Sequence, residues 1–495
     1  MPRRQSISPT NLLTASGLLL LSVIMLRPQI DPDAWWHLRV AGQMIASHSL
    51  PTSDMISWWS AGAPWISPSW LNEILLWVAQ QLSGPTGQSL LYLPVFAAIV
   101  LVADRAVAII EPHVAAWQRL LVLIVVVAAL WPLITPRAAN WDLLFALFAV
   151  LGWLRLRADG STRMLWLMPL GGVAWANLHG GGVMVYPLIA FAFGLGTWLD
   201  RAAWPNWRWR PFLASIGLTY LAFGLNGYGV ALYLYPWTTV FSAAQAGAIA
   251  EWLSPDLSAL GFLPLRVLLS LGLVLGLARA RQVDAAGALA AGGMLFLGLG
   301  SARYLLLAIP LLAIWYLLPI GRGVGTYLTA GLGRLYRWPA RWSSPLLRGS
   351  MLVVALAIVA PASLITVLPA GQQQALAARY PGPTLAALAG CEGRLWSDYG
   401  WGGWVSYQTG RLVGPYGAAD ALGDERLTTA SEVERLTTDP APVFDSLMVE
   451  MVLTQIDRPL AHWLTASSDW RLVAQDEISL LYARQTNPCG LAGGG

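Results

Sequence analysis

Runs of about twenty mainly apolar residues recur along most of this 495-residue chain, and that is the length an α-helix needs to cross a bilayer. They fall near 10–27, 88–110, 117–135, 140–157, 164–178, 182–199, 209–225, 262–279, 285–300, 303–320 and 348–369. Hydrophobic residues make up 56% of the chain and charged residues only 11%, against roughly 25% charged in soluble domains. So little charge cannot clothe a soluble surface, so much of the surface must face lipid. The 27 tryptophans fit many helix ends at membrane interfaces. The sequence thus predicts an all-α polytopic membrane protein of about eleven transmembrane helices over 1–369. A smaller domain follows over 370–495.

Arginine placement orients these spans, because cytoplasmic connections carry the excess of basic residues. With Arg3 and Arg4 inside, the inward loops hold Arg105, Arg119, Arg155, Arg157, Arg163, Arg201, Arg208, Arg210, Arg279 and Arg281. Arg322, Arg334, Arg337, Arg341 and Arg348 complete the inward set. The outward connections hold only Arg39, Arg137, Arg266 and Arg303. The expected arrangement is a cytoplasmic N-terminus and an extracytoplasmic C-terminal domain. Residues 70–84 are apolar but short and contain Glu73; counted as a span they would reverse every later loop. They are read as a helix lying in the outer interface. The first span exits through Leu26-Arg27-Pro28-Gln29 without a small-x-small cleavage site. The net charge of +4 comes from arginine alone and carries no expectation of a nucleic-acid partner.

Three segments then lie outside the membrane: 28–87, 226–261 and the tail. The first opens Ile30-Asp31-Pro32-Asp33-Ala34-Trp35-Trp36-His37-Leu38. Two carboxylates spaced i, i+2 can converge on a divalent cation such as Mg or Mn, or serve as a general base. Either can equally cap a helix beginning near Ala34. His37 lies one turn beyond Asp33 on the same face, as a substrate contact or an interfacial histidine. Asp54 follows Pro51-Thr52-Ser53, as a third acidic group or a turn former. Glu73 sits on an apolar helix, where a carboxylate is costly unless it faces a polar cavity or snorkels to the surface.

The string D-x-D-x-W-W-H-L, then P-x-x-D, G-x-P-W at Gly62–Trp65 and W-L-x-E at Trp70–Glu73 resembles the first outer loop of bacterial GT-C membrane proteins. These are relatives of the protein mannosyltransferases and aminoarabinose transferases. Trp175-Ala176-Asn177-Leu178-His179-Gly180-Gly181 resembles their W-x-N-x-H-G-G block, Asn226-Gly227-Tyr228-Gly229 their N-P-x-G block, and Glu251-Trp252 their E-W pair. Arg303 stands where a membrane-embedded arginine is expected. Gly227 and Ala138 stand where the family carries proline.

The resemblance implies a sugar donor carried on polyprenyl phosphate, used on the outer face of a bacterial plasma membrane. Such chemistry needs a base or acceptor-orienting carboxylate and positive charge for the leaving phosphate. It implies Asp33, Asp31 and Asp54 as catalytic candidates, with Asp31 and Asp33 also the candidate cation ligands. It implies His37, Glu73, Asn177, His179, Asn226, Glu251 and Arg303 as substrate-binding candidates, converging on one lipid-accessible hollow.

Beyond the last apolar run the composition changes. Residues 371–390 and 459–466 read as helices. Arg394–Asp398, Leu447–Thr454, Trp470–Gln475 and Ile478–Arg484 read as strands, which together suggest a small α/β domain. Asp398-Tyr399-Gly400-Trp401-Gly402-Gly403-Trp404 resembles the family's D-x-x-W-G-G-Y segment and is a sugar platform or a packing turn. Cys391 and Cys489 flank the outermost strands and can staple the domain in an oxidising compartment, or remain two thiols.

The leading reading is a glycosyltransferase using a lipid-linked sugar donor, with membrane lipid around it and an unidentified acceptor. The alternative is a non-catalytic GT-C-like subunit that binds protein partners in a larger complex. A transporter of lipid-linked glycans would need inverted repeats or mid-membrane charge, and neither stands out.

Overall fold

The computed structural model describes residues 8–205, 207–278, 284–317 and 344–489. Arg3, Arg4, Arg279, Arg281, Arg322, Arg334, Arg337 and Arg341 lie outside the described residues. The chain forms two compact units. One comprises 1–27, 89–233 and 251–366; the other comprises 28–88, 234–250 and 367–495.

The first unit is helical. Its helices are Pro9–Ile24, Leu93–Ile110, Ala116–Leu130, Ala139–Asp159, Arg163–Leu178, Gly182–Leu199, Trp209–Ala222, Leu263–Ala278, Ala285–Gly300, Leu305–Leu312 and Pro345–Val367. Each of the eleven apolar runs contains one of them. Among the described residues four stretches are both long and apolar enough to cross a membrane: Trp70–Ile110, Ala139–Asp159, Gly182–Leu199 and Pro345–Val367. Leu305–Leu312 holds Pro310 within it and passes into a further helical turn, Ala313–Leu317. Trp153, Tyr186, Phe193 and Phe212 interlock with ring centroids 5.4–6.4 Å apart, filling the space between three helices. Arg157, buried, pairs with Asp284 at 2.9 Å and lies 3.9 Å over the Trp204 ring. A cation is stable there because charge and π-face both meet it.

The second unit joins the 28–88 segment to the tail. Asp33–Ser47 packs on the helix Gly402–Thr409. The fit depends on Gly403, where a Cβ would stand 3.1 Å from Trp36 N and 3.2 Å from Pro32 O. Trp35 meets Trp404 edge-on at 4.5 Å. The Asp398–Trp404 segment therefore packs, as one of its two readings holds.

The tail carries a four-stranded sheet in the order β1-β2-β4-β3. The strands are β1 Arg394–Ser397, β2 Val449–Gln455, β3 Trp470–Gln475 and β4 Ser479–Arg484. β1 and β2 are parallel; β2 and β3 both run antiparallel to β4. Central β2 is buried along most of its length, as its run of Met, Val and Leu requires. Trp396, Phe444, Val452, Leu464 and Tyr482 form the core beneath. Cys391 and Cys489 are joined by a disulfide, Cα–Cα 4.5 Å.

One expectation is corrected. Residues 371–390 are two helices, Pro369–Ala377 and Pro383–Ala386, because Pro381-Gly382-Pro383 interrupts the run. The helix expected over 70–84 ends at a kink at Ser83 and Gly84, with Gly84 taking φ 61°, and a second helical segment follows to Leu91.

Candidate functional site

The polar candidates group into one cluster in each unit. In the second unit, Asp31 is the residue that closes the helix start: its Oδ1 accepts the Asp33 N–H at 3.0 Å and its carbonyl accepts the Ala34 N–H. Asp33, at the first position of the helix, is partly exposed. Its Oδ1 accepts the Trp36 indole N–H at 3.0 Å. One turn on, His37 Nδ1 contacts Glu73 Oε1 at 2.7 Å, and Ser67 Oγ donates to the same oxygen at 2.5 Å. Glu73 is fully buried, so it faces polar partners rather than snorkelling. Burial pulls the His37 pKa down, but the Glu73 bond and the charges of Glu73, Asp33 and Asp31 outweigh it and raise the value overall.

Asp54 takes the turn role. It accepts from Ile56 N at 2.8 Å, from Tyr416 OH at 2.9 Å, and from Ser60 Oγ, all while buried. Its carboxylate is spent on tying the 50–60 loop to the tail. Nearby Asp420, which the sequence reading did not select, accepts from Trp65 Nε1 at 2.8 Å and Tyr235 OH at 2.9 Å.

In the first unit, ends of several helices bring five charged or titratable groups together. Arg137 grips both oxygens of Glu251, with Nη2–Oε2 at 2.6 Å, a bidentate pair. Arg303 lies 4.3 Å over the Trp252 ring. Ser301 Oγ donates to Glu251 O at 3.1 Å and Ala302 N to Leu253 O at 3.0 Å, so the Arg303 turn is fastened to the Glu251 turn. Burial favours a neutral Glu251. Arg137 first, with Arg303 and His179 also acting on it, overrides this and holds the carboxyl at about 2. His179 Nδ1 contacts Asp142 Oδ2 at 2.8 Å, and Trp175 Nε1 donates to Asp142 Oδ1 at 2.6 Å.

The two asparagines hold backbone. Asn177 Nδ2 donates to Val173 O and Leu225 O, tying its own helix to the turn that follows Trp209–Ala222. Asn226 closes its own turn by donating to Phe223 O and Gly229 O and accepting from Tyr228 N. Sequence reasoning missed Asp142 and Arg137 as site residues. The signal for Asp142 was present: a carboxylate in the first turn of an apolar helix is as costly as Glu73 and equally needs partners.

Among the described residues no three or more His, Cys, Asp or Glu side chains converge in a metal-holding group.

No protein-family model matches the chain, and no curated protein does. Solved structures do match. The apo structure of ArnT from Cupriavidus metallidurans matches with a TM-score of 0.51 and 15% identity, over 95% of this chain and 97% of that one. The same protein bound to undecaprenyl phosphate matches with a TM-score of 0.49 and 16% identity, over 95% and 97%. The apo oligosaccharyltransferase of Archaeoglobus fulgidus matches with a TM-score of 0.48 and 12% identity, over 92% and 70%. Agreement with the apo ArnT structure over 95% of this chain shows that the chain has the fold of the GT-C transferases, and its long apolar helices support a membrane location.

Proposed function

We propose that the protein is a glycosyltransferase that moves a sugar from a polyprenyl-phosphate donor to an acceptor on the outer face of the plasma membrane. The observation that carries this reading is the first-unit cluster. Arg137, Glu251, Arg303, His179 and Asp142 are gathered at helix ends of an apolar bundle. A bundle that gathers this much charge must meet a charged ligand or tolerate a large desolvation cost.

In this reading Arg303 and His179 take the phosphate, whose negative charge grows as the bond to the sugar breaks. Asp33 accepts the acceptor's hydroxyl proton, or orients that hydroxyl; its partly exposed carboxylate supports this. Asp31 sets the start of the helix that carries Asp33. A divalent cation, if used, would be held by Asp31 and Asp33 and would offset phosphate charge. Asp54 is left out of the chemistry because its oxygens are engaged.

The test is Asp33→Asn in the full chain, reconstituted with lipid-linked sugars and cell-envelope acceptors. Transfer should fall by at least about 100-fold, the usual worth of a general base, with insertion unchanged. A stable complex with other proteins, indifferent to Asp33→Asn, would instead support the non-catalytic subunit.

A further inference from the structure

The block Trp175–Gly182 has a role that its separate residues do not show: Trp175, His179, Gly181 and Gly182 together serve Asp142, while Asn177 holds backbone. Trp175 Nε1 donates to Asp142 Oδ1 at 2.6 Å, and His179 Nδ1 meets Oδ2 at 2.8 Å. A Cβ on Gly181 would stand 2.5 Å from Asp142 Oδ2 and 2.9 Å from His179 Nδ1, so only glycine lets the backbone pass this pair. A Cβ on Gly182 would stand 2.6 Å from the Trp175 ring, so this glycine lets the indole lie flat where it reaches the carboxylate. Asp142 itself stands in the first turn of Ala139–Asp159 and is almost wholly buried. A carboxylate there is tolerated because two N–H donors meet it.

We propose that Asp142 is a positioning residue, one that fixes the His179 imidazole in a single tautomer and reserves Nε2 for the reacting ligand. An ionised carboxylate only accepts hydrogen bonds, so Nδ1 must carry the hydrogen. Neutral His179 then presents a bare Nε2; once protonated, it presents an N–H donor suited to a phosphate oxygen. The proposal rests on the glycosyl-transfer reading for the identity of that ligand. It does not rest on it for the tautomer.

The test uses the full chain in lipid nanodiscs with ¹⁵N-labelled histidine. The chain has five histidines, and His179→Gln assigns the signal. The expected spectrum shows Nδ1 protonated on His179. Undecaprenyl phosphate is expected to shift the Nε2 signal. Asp142→Asn should lose the single tautomer, as carboxylate-to-amide changes behind a histidine do. It should lower turnover about 10- to 100-fold with a smaller change in KM, and Asp142→Glu should restore part of both. If Asp142→Asn does not fold, Trp175→Phe removes only the second donor and should loosen the same tautomer. An unchanged His179 signal in both variants overturns the proposal. A tautomer fixed by Asp142 with no response to undecaprenyl phosphate supports the positioning role and counts against the lipid-phosphate reading alone.

Discussion

Glu73 Oε1, fully buried, sits 2.7 Å from His37 Nδ1, so a carboxylate inside an apolar helix is matched by a histidine from the helix that carries Asp33. The pairing raises the His37 pKa. A raised value stabilises the fold fully below the ordinary histidine pKa near 6.5, and the contribution disappears as pH rises through the folded value. The melting temperature of the full chain should therefore fall as pH climbs from about 6 to 8. In Glu73→Gln that slope should be shallower; an equal slope would show that the pair contributes nothing.

Acid should act on the first unit. Glu251 is held at about 2 against an ordinary 4.5. Its contribution is present above the ordinary value and is lost as pH falls from 4.5 toward 2. With 39% of the side chain exposed, solvent screens the pair and the effect is modest. Glu251→Gln should flatten melting curves collected across pH 5 to 3, whereas parallel wild-type and variant curves would remove Arg137–Glu251 from the account.

The tail predicts an opposite trend. Glu434 accepts the Tyr399 N–H at 2.9 Å. Burial, with Asp398 nearby, pushes its pKa up to about 8. The folded state thus holds a proton that the unfolded state releases, and stability drops as pH rises from about 4.5 to 8. Glu434→Gln should remove much of this loss, seen as a higher melting point than wild type at pH 8 and little difference at pH 4.5. No gain at pH 8 would contradict the buried-carboxylate account.

The disulfide spans 98 residues of sequence. A loop of that length limits the unfolded chain by about 4–5 kcal/mol in the chain-entropy picture. Reduction, or Cys391→Ser with Cys489→Ser, should make the tail open and become protease-sensitive before the helical unit does. Equal protease resistance with and without the bond would show that the sheet core alone holds the tail.

Much of the fold was legible because lipid imposes a simple rule. Long apolar runs become helices, and every one of the eleven runs contains a helix. The four strands were readable from short Val- and Leu-rich runs bounded by turn residues. Helices such as Asp424–Arg435 were missed because their polarity leaves little apolar periodicity to read. The site was legible only where a residue looked costly on its own. Glu73 stood out by its cost and His179 by its motif; Asp142 carried the same cost as Glu73 in the first turn of an apolar helix but lay outside any recognised motif, and its partners Trp175 and His179 are 33 and 37 residues away. Asp54 looked catalytic because an acidic residue three positions after a proline gives no sign of the tyrosine at 416 that engages it.

The central claim is that the first-unit cluster receives a lipid-borne phosphate. The most direct measurement is a cryo-electron microscopy structure of the full chain in nanodiscs with undecaprenyl phosphate added. The account predicts phosphate density within hydrogen-bonding distance of His179 Nε2 and the Arg303 guanidinium. Lipid phosphate bound elsewhere, with both side chains unchanged and unoccupied, would contradict it.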